Sequence, residues 1–550
     1  MKRLLLFALL LCTFGCSGFS TPPAQKLSTG GSTGGQNPPA PNPSPTPNPP
    51  PSPTPNPTPN PTSYSGTVQI TLPTANLFLS GVRYVATATT TCPKGVSSIG
   101  ILSGPNNVMY SVKGAKIDTV LNLAPGDYQT VVQEWDNCNG TATAKVAVSI
   151  QQPTTTLSVQ TSNNTSAADS FHSLSDGDEG ATNVSKANLR TLLYPGSTTE
   201  IYGELQPWFG DKRHMNVGYT SWNPTQVERQ IEDMQSRGIT GIVFDWYGPA
   251  DDTEATMQAW LAALPNHPGF KLIVMIDKGA IQLSPCSGCN PQQTLVYLTN
   301  YVLQHYATSP SYATLNGNPI ITQFDIDLHY SINWNTVQQQ TSPNIAWIFE
   351  NNSGFTHPIT AGSWSWVNIS ANYGFDYLDQ FYTTANHYPK EMAWGATYKG
   401  FNDTLASWGK DRIIGQQCGE TWLQTFNILN SYYNSGNQLP ILQLVTWNDY
   451  EEGTEIESGI DNCLTVNPSI NGSQLQWSVN GNEQTVSQYV VYISTDGQNL
   501  LALDTLPVGS RQVNLAPYSL ATGTYLVYVQ AIGQPTIKNQ MSGPVQFVIP

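Results

Sequence analysis

Across residues 189–460 the sequence alternates short apolar runs with stretches of helical periodicity, and this alternation limits the fold more than any other feature. Strand candidates lie at 239–244, 271–276, 319–323, 345–349, 412–415 and 440–445. Residues 225–236, 255–264 and 292–305 carry apolar side chains at helical spacing between them. Parallel strands need a long crossover, usually a helix, so the repeated pattern over about 270 residues predicts a central (β/α)8 barrel. Twelve of the 14 Trp fall between Trp208 and Trp447. The aromatic supply is concentrated in this domain.

The flanks follow a different rule. Residues 64–153 and 463–550 show short two-residue alternation broken by Gly, Pro and Asn, the pattern of β-sandwiches. The first resembles bacterial immunoglobulin-like modules, and the second resembles a fibronectin type III sandwich. Residues 154–185 are rich in Ser, Thr and Asp without periodicity and read as a linker. The expected order is therefore 1–15 signal, 16–63 spacer, 64–153 sandwich, 154–185 linker, 186–462 barrel and 463–550 sandwich.

The chain begins Met1-Lys2-Arg3, continues with an apolar run to Cys12 and reaches Gly15-Cys16, the charge, apolar core and small-residue order of an export signal. Gly15-Cys16 resembles a bacterial lipobox, with Thr13 a departure where Leu is usual. Cys16 is thus expected to carry lipid and anchor an exported protein to a membrane, the outer membrane or cell surface. Behind it, residues 38–62 contain 14 Pro in 25 residues and no charge. Such a stretch is a stiff polyproline II spacer of roughly 75 Å.

Export also shapes the cysteine reading. With Cys12 removed and Cys16 acylated, six cysteines remain, and an even number in an oxidising compartment favours disulfides. Cys92 and Cys138 are the expected pair, since both fall in one small β domain. Cys286 with Cys289 and Cys418 with Cys463 are open possibilities. A zinc site at Cys286/Cys289 lacks a second Cys/His pair to complete it, and no metal is expected.

In a (β/α)8 barrel the reacting groups sit at the C-terminal ends of strands. Acids follow the apolar runs at Asp245, Asp277, Asp325, Glu350, Asp449, Glu451 and Glu452. Like charges gathered on one rim are unfavourable unless a ligand or reaction requires them. Asp449 and Glu452 are three residues apart, and a curled loop stopped by Gly453 can turn both into one pocket. Paired carboxylates are what glycosidic cleavage needs, one to protonate the leaving oxygen and one to activate the nucleophile or attack directly. Trp208, Trp246, Tyr247, Trp364, Trp394 and Trp447 are candidate sugar platforms, and His214 is a candidate hydroxyl ligand.

Thr446-Trp-Asn-Asp-Tyr-Glu-Glu452 resembles the catalytic segment Trp-Asn-Asp-Tyr-Gly-Glu of glycoside hydrolase family 71, the endo-α-1,3-glucanases. The continuation Glu452-Gly-Thr-Glu-Ile-Glu457 is similar to family 99, the endo-α-mannan hydrolases. So are Gln206-Pro-Trp-Phe-Gly210, Asn216-Val-Gly-Tyr219, Trp222 and Gly241-Ile-Val-Phe-Asp-Trp-Tyr-Gly248. The resemblance covers about half the chain, residues 202–457. It implies catalytic roles for Asp449 and Glu452, with Asn448 and Glu451 as supporting groups. Glu451 stands where one family has Gly and the other His. The first family inverts configuration; the second retains it with help from the substrate's 2-hydroxyl.

A net charge of -15 argues against a nucleic-acid partner. Expected instead are a polysaccharide partner, membrane contact through the lipid, no cofactor and a monomer. The competing reading is a non-catalytic glycan-binding lipoprotein, from which an intact Asp449/Glu452 pair would distinguish a hydrolase.

Overall fold

The computed structural model describes residues 64–73, 77–78, 81–104, 107–151, 155–156, 184–341, 345–518, 520 and 522–550. The signal, Cys16, the proline spacer and most of the second linker lie outside the described residues. No helix among the described residues is long and apolar enough to cross a membrane.

Eight parallel strands form the centre: β1 (Glu200–Leu205), β2 (Gly241–Trp246), β3 (Lys271–Asp277), β4 (Asn318–Phe324), β5 (Ala346–Glu350), β6 (Thr360–Trp364), β7 (Met392–Tyr398) and β8 (Ile441–Val445). Each pairs with its neighbours in sequence, and β8 returns to β1, so the sheet closes into a barrel. Helices α1 (Pro224–Ser236), α2 (Thr253–Ala263), α3 (Lys278–Leu283), α4 (Pro291–His305), α5 (Ile326–His329), α6 (Trp334–Gln340), α7 (Phe375–Ala385) and α8 (Glu420–Tyr432) lie in the connections.

Local chemistry explains the helix starts. Pro224 and Pro291 occupy first turns, where the missing N–H costs nothing. Asn223 and Asn290 cap those turns with their side chains, and Gln293 completes a capping box. Val227, Ile231 and Met234 of α1, and Leu295, Leu298 and Val302 of α4, then form buried stripes.

The strands are two-sided. Ile242, Phe244 and Trp246 of β2 face the helices, as do Leu272, Val274 and Ile276 of β3. Tyr202, Val243, Ile273, Met275, Ile348, Trp364 and Trp394 fill the barrel interior. Residues 412–415 are not a barrel strand: Ile413–Ile414 makes a short antiparallel pair with Phe401–Asn402 inside the β7–α8 connection.

The flanking regions each pack two sheets over an apolar core. In the first, Gly66–Leu72, Gly81–Thr90 and Lys116–Asn122 oppose a five-stranded sheet, with Tyr84, Ile99, Ile101 and Val132 between them. A disulfide joins Cys92 to Cys138. In the second, Leu475, Trp477, Tyr489, Val491 and Val527 form the core. This region is fastened to the barrel by the Cys418–Cys463 disulfide, by Trp422 Nε1 donating to Pro535 O at 3.2 Å, and by Ile537 buried in the barrel's outer core. Cys286 and Cys289 form the third disulfide.

Candidate active site

Strand alternation delivers the acids. On β1, β2, β3 and β5 the inward apolar residues Tyr202, Val243, Met275 and Ile348 are each followed two positions later by Glu204, Asp245, Asp277 and Glu350. Side chains two apart share a face, so these carboxyls form the top layer of the barrel lumen. Glu204, Asp245 and Asp277 are almost wholly buried.

The eighth strand supplies the rest through a tight turn. Thr446 Oγ1 accepts from Asp449 N at 2.8 Å, and Asp449 Oδ1 accepts from Glu451 N at 3.0 Å and Glu452 N at 2.8 Å. Gly453 ends the turn at φ 61°, where a Cβ would come within 3.0 Å of Asn402. A residue with a side chain is disfavoured there on both counts. Asn402 N in turn donates to Glu452 O at 2.6 Å, joining the β7–α8 connection to the turn.

Electrostatics confirm that these acids feel one another. Burial, and then the charge of Asp449, push Glu204 well above the usual carboxylate range; Gln206 donates to it at 3.2 Å and Gln443 Nε2 also donates. Asp245 is pushed well up by burial and by Asp277, Glu204 and Asp449, and its Oδ1 has no hydrogen-bond partner among the described residues. Burial lifts Asp277 to about 6 against the pull of the Gly279 N–H at 2.5 Å.

Glu452 is half-buried; its carboxyl accepts no hydrogen bond among the described residues and is lifted by burial to about 7 while Arg412 draws it down. Asp449 is raised as well, by burial first and by Glu452 second. Burial therefore works against the ionised form of Asp449, and the charge of Glu452 adds to that. The two backbone N–H donors on Asp449 favour charge there over charge on Glu452. Lys278 and Arg412 are the cations that act on this group.

The remaining expected residues separate into two sets. Tyr247 stays beside Asp245, Asp277 and Asp449, and its ring occupies the space that a Cβ on Gly279 would need. Trp208 stacks on His214 at 4.9 Å, and His214 Nδ1 pairs with Glu451 Oε2 at 2.8 Å. Met215 N also donates to Glu451, so Glu451 ties the β1–α1 loop to the β8 turn. Glu350 lies on the far side beside Asp325, which is paired with Lys278 at 2.7 Å, and burial lifts Glu350 to about 7.

Four tryptophans are not sugar platforms. Trp246, Trp364, Trp394 and Trp447 are all 0% exposed. Trp246 follows inward-facing Asp245 and so must point outward, where it stacks on Tyr301 at 5.8 Å. Trp447 lies in the outer core beneath the Arg237 guanidinium, 5.0 Å from its ring. Trp364 and Trp394 fill the lumen below the acid layer. Asn448 is likewise spent: Oδ1 accepts from Gln206 N at 2.8 Å and Nδ2 donates to Gln206 O at 2.9 Å, stapling β8 to the end of β1.

Glu204, Lys278 and Arg412 were absent from the expected set. Glu204 sits in Glu-Ile-Tyr-Gly-Glu-Leu, too polar to stand out as a buried strand. A position two residues beyond an inward Tyr was its only signal. A cavity of about 770 Å³ lies elsewhere, between residues 184–191 and the C-terminal sandwich; no acid lines it, so it is not the place for this chemistry.

The class that fold and site define is a closed (β/α)8 barrel with carboxyls clustered at the C-terminal mouth. No family model matches the chain, and no curated protein matches it. Solved structures of similar trace include the glycoside hydrolase family 99 endo-α-mannosidase of Bacteroides thetaiotaomicron, at 15% identity over 48% of this chain and 88% of that one, with a TM-score of 0.40. A glycoside hydrolase-like protein matches at 12% identity over 48% and 87%, with a TM-score of 0.35. A β-glucuronidase of Ruminococcus gnavus matches at 12% identity over 73% and 63%, with a TM-score of 0.29.

Proposed function

We propose that the chain is an exported, lipid-anchored glycoside hydrolase that cleaves internal α-glycosidic bonds of a polysaccharide of the α-1,3-glucan or α-mannan type. The observation that carries the hydrolase reading is the carboxyl cluster at the barrel mouth, Glu204, Asp245, Asp277 and Asp449 buried and Glu452 half-buried, short of counter-charge. Such a cluster lowers stability and is kept where a reaction uses it. The α-linkage rests on the motif from Thr446 to Glu457.

In this reading Glu452 carries the proton and gives it to the glycosidic oxygen as the C1–O bond breaks. Asp449, held by two backbone amides, takes a proton from water, or from the sugar's 2-hydroxyl, as the new bond forms at C1. Glu204, whose charged form is disfavoured by burial and by Asp449, is the supporting neighbour of Asp449. The immunoglobulin-like sandwich, which lies between anchor and barrel in the chain, serves as a spacer, and the fibronectin-like sandwich after the barrel braces its outer face.

Reducing-sugar release from a panel of α-glucans and α-mannans tests the activity. Release from one class with internal cleavage supports the proposal, and no release from any member refutes it. Replacing Cys16 by Ser should move the protein out of the membrane fraction. Unchanged sedimentation would remove the lipid anchor from the account.

A further inference from the structure

The β7–α8 connection exposes three large apolar side chains together: Leu405 at 54%, Trp408 at 48% and Ile413 at 63%. Exposure of this kind on one loop gains nothing for folding and marks a binding surface. The loop itself is tightly held. Asp403 is fully buried, and its carboxylate accepts from Lys410 N at 3.1 Å, Arg412 N at 2.7 Å and Arg412 Nε at 2.8 Å, closing the chain around Trp408.

Two contacts place that ring beside the acids. At the base of the loop, Asn402 N donates to Glu452 O at 2.6 Å. At the top, the Trp408 ring stands edge-on to His214 with centroids 6.2 Å apart, and His214 is bonded to Glu451, the residue before Glu452. The loop is therefore fixed to both sides of the turn that carries the pair. Trp208, the other tryptophan at this point, is 7% exposed and is stacked on His214, so Trp408 is the ring that solvent reaches here.

We propose that Trp408 is a stacking platform for a pyranose unit of the substrate chain next to the cleavage point, a deepening that rests on the glycoside hydrolase reading. The apolar C–H face of a sugar ring matches an exposed indole face, and a ring on a pre-closed loop binds without an ordering cost. Leu405 and Ile413 are further exposed apolar side chains of the same connection.

The test uses the full chain with Trp408→Ala and Trp408→Phe, assayed on soluble α-glucan and α-mannan and run in native gels containing each polymer. In Trp408→Ala the KM should rise about fivefold or more, with a smaller change in kcat, and gel retardation should weaken. Trp408→Phe should recover most of both. Unchanged KM and retardation in Trp408→Ala, or a fall in kcat alone, would overturn the platform and leave the hydrolase standing. If the wild-type protein cleaves no polymer, the hydrolase reading fails and the gels still decide: retardation lost in Trp408→Ala supports the platform, and absence of wild-type retardation overturns it.

Discussion

The turn carrying Asp449 and Glu452 and the segment carrying Glu455 and Glu457 lie next to each other on one loop, and they treat their carboxylates in opposite ways. Glu457 is 0% exposed and accepts from Tyr219 Oη and Tyr450 Oη at 2.8 Å each and from Gln230 Nε2 at 2.9 Å. Glu455 pairs through Oε1 with Lys399 at 2.7 Å, though its Oε2 is buried without a hydrogen-bond partner among the described residues, so Glu457 is the filled member of the comparison. Glu452 has no such donor, and Asp449 has only its own turn's amides. Beneath this segment Arg237 donates to Ile456 O and Glu457 O while held by Asp233, so the loop's far half is anchored to α1. A buried acid with its donors filled is architecture; a buried acid left wanting is available for chemistry.

The largest effect should come from the unfilled pair. Asp449→Asn and Glu452→Gln keep shape but remove proton transfer, so each should lower turnover by about 10² or more while polymer binding survives. Neither should lower the melting temperature, because each removes a buried like charge. Turnover near wild type in either variant would move attention to Asp245, Asp277 and Glu350.

Glu457→Ala sharpens the contrast from the other side. It removes the acceptor that Tyr219, Tyr450 and Gln230 share and should cost about 2 kcal/mol of stability in denaturant unfolding. A stability within error of wild type would mean that Glu457 is not the structural member of the comparison.

A smaller, summed effect is pH dependence. Asp277 is raised to about 6, and Glu350, Glu452 and Glu457 to about 7, each through burial first. An acid raised in the folded state contributes stability fully below its unfolded pKa and loses it as pH climbs through the folded value. The melting temperature should therefore fall between pH 5 and pH 8, and Glu452→Gln should flatten the slope. Opposing groups such as Asp211 and Glu483, held down to about 2 by Arg213 and Arg511, matter only at strongly acid pH. A melting temperature that rises from pH 5 to pH 8 would contradict the buried, raised acids.

The sequence showed the barrel where strands are apolar throughout, as in β2, β3, β4, β5 and β8. It hid β1, β6 and β7. In β6 and β7 a Cβ on Gly362 would lie 2.2 Å from Met392 O and one on Gly395 2.6 Å from Tyr382 Oη, while β1 carries Glu at both ends of Glu-Ile-Tyr-Gly-Glu. Close approach of neighbouring backbone and side chains holds these positions to glycine, and small or charged residues dilute the apolar signal. The acids at the ends of β2, β3 and β5 were legible because each closes an apolar run, and Glu204 was not because its strand is polar. The tryptophans were misread because a ring's face depends on strand parity, which composition does not reveal: Asp245 and Trp246 are adjacent and so point to opposite sides.

Leaving-group dependence in Glu452→Gln tests the central claim most directly, that the unfilled carboxyl at the barrel mouth is the general acid. Polymer cleavage and hydrolysis of an aryl α-glycoside with a good leaving group should be measured side by side. Acid assistance matters little for the aryl substrate, so the variant should recover most of its turnover there while staying about 10² down on polymer, and Asp449→Asn should be impaired on both. An equal deficit of Glu452→Gln on the two substrates would contradict the assignment.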